Sequence, residues 1–131
     1  MESGLKAGER VGRPISAKFV VEDGTLQLSL LIVKDDGISE FHLYPAIGMI
    51  NEVVDIVDPD KIKAAAAQKL AIESATISLF AATESAVKAN KGFRAISVLP
   101  TLSEGRPVAM VTLLEPDGFR VVTGKLYRIG F

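Results

Sequence analysis

The chain offers a single histidine, His42, and the stretch SEFHLYP sets it two residues from Glu40 and two from Tyr44. Residues two apart in a strand share a face, so these three form a row in which a carboxylate could orient an imidazole for proton transfer or begin a metal site. Metal sites usually gather three or four ligands, and the sequence holds no second histidine and no cysteine to complete one. From the residues alone His42 reads as a surface histidine on the polar side of a strand, with a pH-sensitive contact as its candidate role. No metal, no cofactor and no catalytic residue is expected.

Other chemistries fare no better. Serines are frequent, but none lies in a G-x-S-x-G elbow, and no spacing joins a serine to His42 and an acid. Neither a P-loop nor G-x-G-x-x-G occurs, and the glycines stand singly at turns. Asp35, Asp36, Asp55, Asp58 and Asp60 form the main acidic clusters; DIVDPD lacks the ordered spacing, central glycine and final glutamate of a calcium loop, which leaves turn and cap roles.

Bulk properties narrow the classes further. At 131 residues with 48% hydrophobic content, the chain can bury a core without staples. Fifteen basic and sixteen acidic residues give a net charge of −1, so nothing favours a nucleic-acid partner. No apolar run approaches the ~20 residues of a membrane span. The opening MESGLKAGER is too polar for the core of a secretory signal; the expectation is a protein that stays inside or one whose leader is absent.

Architecture is more legible than chemistry. Sliding the sequence by 81 residues places Arg13 on Arg94, Ile15 on Ile96, Ser16 on Ser97, Gly24 on Gly105, Asp36 on Asp117 and Gly37 on Gly118. Side-chain phase is kept as well: Ile15, Ala17, Phe19 and Val21 alternate inward, as do Ile96, Val98 and Leu102, while Leu28, Leu30 and Ile32 meet Ala109, Val111 and Leu113. A one-residue slip would turn a buried set to solvent, so shared phase implies a shared sheet. Each copy carries an acid and a glycine at its first turn and Asp-Gly at its second, both hairpin signals. Strands are expected at 14–22, 25–34, 38–44 and 49–57, with a turn at YPAIG before the last, and again at 94–102, 106–115 and 118–127.

Between the copies a long helix over 59–91 is expected, with Asp58 as cap, Pro59 in the first turn and Lys88, Lys91 and Gly92 at its end. Ile62, Ala66, Leu70, Ile77, Phe80 and Val87 form the stripe expected against a sheet, and Lys61, Lys63 and Lys69 its wet side. Consecutive β-branched residues predict a bend near Ala75, Thr76 and Ile77. ESGLKAG at 2–8 matches ESAVKAN at 84–90, so the first copy begins with the last two turns of its own helix. The fold class is thus α+β: two repeated antiparallel units of three to four strands with a long central helix, divided as 1–57 and 58–131.

A helix followed by KGFRAISVLPTLSEGRPVAMVTLLEPDG resembles the PepSY domains, whose pattern is a helix, a small residue near the first strand, a Gly-turn hairpin and a further Asp-Gly turn. The first copy resembles it too, through GRPISAKFVVEDGTLQLSLLIVKDDGISEF. LYPAIGMI is similar to the family's DP-x-TG turn, with Tyr44 and Ile47 where that pattern has Asp and Thr, and VVTGKLYRIGF keeps the TG without the Asp-Pro. The resemblance implies a cystatin-like, PepSY-like tandem, an extracytoplasmic location, no chemistry of its own, and association with peptidases or envelope proteins. Two such units in tandem also resemble the architecture of the β-lactamase inhibitory protein.

If the helix covers one face of each sheet, the open faces carry Lys18, Gln27, Ser29 and Leu31 in the first copy and Val108, Met110, Thr112 and Leu114 in the second. The apolar second set marks a partner surface. Three functions are therefore expected to compete: a non-enzymatic binding or regulatory module docking a protein, a small apolar ligand carrier or cystatin-like pocket enzyme, and a homodimeric structural subunit.

Overall fold

The computed structural model describes residues 1–35, 37–44 and 49–128. The turn expected at YPAIG and the Asp36 of the first Asp-Gly pair fall outside them. Two long hairpins are its frame: β1 (Arg13–Glu22) with β2 (Thr25–Lys34), and β5 (Arg94–Ser103) with β6 (Arg106–Glu115). Asp23 and Gly24 turn the first at φ 51° and 76°, and Glu104 and Gly105 turn the second at 52° and 79°. Two consecutive positive φ values give the two-residue turn whose twist matches that of paired strands, which is why a glycine closes each.

β3 (Gly37–Tyr44), β4 (Met49–Asp55) and β7 (Gly118–Lys125) complete one antiparallel sheet in the order β4-β3-β2-β1-β5-β6-β7. In place of the two sheets expected, there is one, because β1 pairs with β5 at Ala17–Val98 and Lys18–Ser97. The register slips between Pro14 and Ser16 in β1 and between Ala95 and Ser97 in β5. The strict alternation expected from Ile15 and Ile96 is therefore broken at its start: Ala95 and Val98, three apart, are both buried. At the far ends Val21 and Leu102, expected inside, are exposed.

Helices cover both faces. On one face α1 (Glu2–Glu9) and α3 (Leu79–Ala89) lie over Ala17, Leu28, Leu30, Ile32, Val98, Ala109, Val111 and Leu113, all buried with Leu5, Leu79 and Ala82 in one cluster. Gly4 and Gly8 bring α1 close: a Cβ at Gly8 would stand 3.0 Å from Leu30 Cδ1. On the other face lies α2 (Pro59–Glu73). Asp58 caps it by accepting the Asp60 amide at 3.0 Å, and at its far end the Arg13 guanidinium donates to the carbonyl of Ile72 at 2.7 Å.

The single helix expected over 59–91 is thus two, on opposite faces. The chain rounds the end of the sheet between them, where the amides of Thr76 and Ile77 both donate to the Leu126 carbonyl at 2.8 and 3.0 Å. Ser78 then caps α3 through the Ala81 amide at 3.1 Å. The break falls at the β-branched pair where a bend was expected. The stripe expected against the sheet is corrected in its first half, where Ala65, Ala71 and Ile72 are buried and Ile62, Ala66 and Leu70 face outward, while Ile77, Phe80 and Val87 of its second half do pack against the core. Lys61, expected on the wet side, reaches in toward β3.

Candidate functional site

Exposed apolar side chains occur on β3 and β4 at Tyr44, Met49, Ile50 and Val53, and two other places bear on function. The first is polar and lies beneath α2. Ser29 of β2 stands opposite His42 of β3, and Glu40 shares their face. Alternation along the strands puts all three on the side that α2 covers. Gln27, Ser29, Glu40 and His42 are all buried, which corrects the expected surface histidine and the expected open face: β2 is buried on both sides from Gln27 through Ile32, the signature of a strand with layers above and below.

Glu40 is the hub. Its Oε2 accepts the Ser29 hydroxyl at 2.9 Å and lies 2.6 Å from His42 Nε2, while Oε1 pairs with the Lys61 ammonium of α2. Burial pushes the Glu40 carboxyl upward, but the hydrogen bonds from Lys61, His42 and Ser29 and the charge of Lys61 outweigh it and hold the carboxyl down at about 2. The carboxylate is therefore an acceptor, which places a proton on Nε2. Nδ1 of the same ring lies 3.5 Å from Oε2 of Glu52 on β4, so His42 stands between two carboxylates. This order, with the acid between serine and histidine, does not polarise Ser29 as a nucleophile, since a base would have to stand between the acid and the hydroxyl. It ties α2 to the sheet. Among the described residues no group of three or more His, Cys, Asp or Glu could hold a metal ion, and no helix is long and apolar enough to cross a membrane.

The second place is the same face of the sheet beyond α2. Val108 is buried and Thr112 half-buried, but Met110 and Leu114 are 39% and 45% exposed. Across from them on β7, Phe119 pairs with Leu114 and Val121 with Thr112, at 72% and 48% exposure. Met110, Leu114, Phe119 and Val121 share this face with Thr112 and the exposed Thr123 and form a largely apolar field, ended on one side by the exposed Arg106 and Lys125, which both approach the Tyr127 ring. Of the residues expected on open faces, Lys18, Met110 and Leu114 are exposed; Gln27, Ser29, Leu31 and Val108 are not.

Phe119 and Val121 were missed by sequence reasoning, although a signal existed: a two-residue turn at Pro116 and Asp117 makes Leu114 and Phe119 opposite neighbours by counting alone. The cleft under α2, about 170 Å³, mixes Lys18, Ser29, Lys61 and Gln68 with the apolar Leu31, Ala64, Val98 and Leu99.

No family model matches the chain, and neither the curated proteins nor the solved structures contain a significant match.

Proposed function

We propose that the protein is a non-enzymatic docking module that engages a protein partner through the bare face of β6 and β7. The observation that carries this reading is the exposure of Met110, Leu114, Phe119 and Val121 side by side on one sheet face. Contiguous apolar surface of this kind is costly to leave in water and marks interaction sites in folded proteins. The hub beneath α2 is engaged within the fold, whereas Met110, Leu114, Phe119 and Val121 stand in water.

The module is read as two copies of one PepSY-like α+β unit, 1–57 and 58–131. Three observations support that reading: the hairpin turns share their backbone angles, the register slips fall 81 residues apart, and Ala17 lies opposite Val98, its own counterpart at that shift. The resemblance adds a class of partner, a peptidase or envelope protein outside the cytoplasm.

Native mass spectrometry of the protein drawn gently from an extract of its source, against the Met110→Lys, Phe119→Lys double variant, tests the docking role. A protein partner at stoichiometric mass in the first and absent from the second is expected, with equal melting temperatures. A partner retained by the double variant would remove the role assigned to this face.

A further inference from the structure

We propose that the occupant of the bare β6–β7 face is a second copy of this chain, docked about a two-fold axis so that α2 of each protomer is packed between its own sheet and the other's. The inference rests on the docking reading of this face and puts a second copy there in place of the peptidase or envelope protein that the resemblance suggests. It begins from α2, which has apolar residues on two opposite sides. At 100° per residue, Ala65, Ala71 and Ile72 point one way and are buried on the chain's own sheet, while Ile62, Ala66 and Leu70 point the other way; Ile62 and Leu70 are 49% and 59% exposed. A helix apolar on both sides is the pattern of one buried on both sides. Within one chain it has a single sheet.

The missing layer is present on the same side of the molecule. α1 and α3 share the first face, but α2 alone must cover the second: it packs on β5, β1 and part of β6, and leaves Met110 and Leu114 of β6 and the adjoining face of β7 exposed. Bringing two copies together with these faces opposed supplies each uncovered helix side with a sheet and each uncovered sheet with a helix. One self-complementary contact is used twice, as a two-fold interface requires.

Charge complementarity supports the same occupant. Glu73 lies in the last turn of α2, where no basic residue accompanies it and the helix dipole disfavours an acid. It is exposed and pairs with no cation among the described residues. The apolar field on β6–β7 ends at Arg106 and Lys125, the charges that such an acid would meet. At the other end of that field stands Asp117, and toward the other end of the outer side of α2 stands Lys63, both exposed.

The test is light scattering after size exclusion at micromolar concentration, on the full chain. Twice the chain mass is expected for the natural protein and the chain mass for Ile62→Lys, Leu70→Lys. A charge exchange probes reciprocity. Arg106→Glu, Lys125→Glu carries acids on both halves of the contact and Glu73→Lys bases on both, so each alone is expected to be shifted toward monomer, while a mixture of the two recovers the dimer. Circular dichroism melts keep misfolded variants out of the comparison. A natural chain that is monomeric, or a dimer indifferent to both the helix substitutions and the charge exchange, would overturn the proposal. A monomer that still takes up a different protein through Met110 and Phe119 would overturn it too, yet leave the docking role standing.

Discussion

His42 Nε2 lies 2.6 Å from the same Glu40 oxygen that accepts the Ser29 hydroxyl, while the other oxygen of Glu40 holds Lys61. One buried carboxylate thus receives two strands and a helix. Ser29 comes from β2, His42 from β3 and Lys61 from α2, and only the last is fixed by little else, because α2 buries no more than Ala65, Ala71 and Ile72.

Glu40→Gln keeps the shape of the side chain but removes its charge, leaving Lys61 without its counter-ion and obliging an amide to satisfy three donors. Removing one partner of a buried, hydrogen-bonded pair costs several kcal/mol, and the partial exposure of Lys61 lowers that here to about 2 kcal/mol. Urea unfolding is expected to show this loss. A change below about 0.5 kcal/mol, the range of ordinary surface substitutions, would show that α2 does not depend on the hub.

Acid should act through the same group. The Glu40 carboxyl is held at about 2 in the folded protein, against an ordinary value of 4.5, so the unfolded chain binds its proton first as pH falls. Its contribution is accordingly complete above the unfolded value and is lost as pH drops from there through about 2. Unfolding measured across that window is expected to weaken with acid in the natural protein and to weaken less in Glu40→Gln. Parallel curves would assign the acid response to other groups.

Gly12→Ala tests the entry to β1. A Cβ at Gly12 would collide with the backbone carbonyl oxygen of Val33, which cannot rotate away, and with Ile32 Cγ2 at 2.8 Å. Overpacking of this kind costs about 1–3 kcal/mol. At Gly4 the new Cβ would meet only the flexible end of Leu28, so Gly4→Ala is expected to cost less than Gly12→Ala in thermal melts. The reverse order would mean that the first strand shifts more easily than its neighbour's side chain.

The hairpins were legible because their determinants are local: an acid and a glycine at a two-residue turn, and apolar residues in phase on either side. The join between β1 and β5 was not, since it pairs residues 81 and 79 apart, Ala17 with Val98 and Lys18 with Ser97, and no short pattern announces it. α2 misled for a physical reason. Its apolar residues lie on two sides, and the more conspicuous set, Ile62, Ala66 and Leu70, is the outward one, so periodicity pointed to the wrong face. His42 looked like a surface residue because polar alternation along a strand normally means water on that side; here a helix lies over it and Glu40 supplies the partner. The exposed field was half visible through Met110 and Leu114, and its other half required the β6–β7 register.

Each hairpin of the sheet is zipped along nearly its whole length, whereas β1 and β5 meet in register only at Ala17–Val98 and Lys18–Ser97. Mechanically, the molecule is two stiff leaves with a short hinge between them. A small rotation there would alter the angle between the leaves while leaving every turn and hairpin intact, and hydrogen exchange should find its fastest strand amides at this seam. The helices that straddle the seam, α2 on one side and the α1–α3 pair on the other, act as the stays that set its opening. Whatever presses on the outer side of α2 therefore bears on the curvature of the entire sheet.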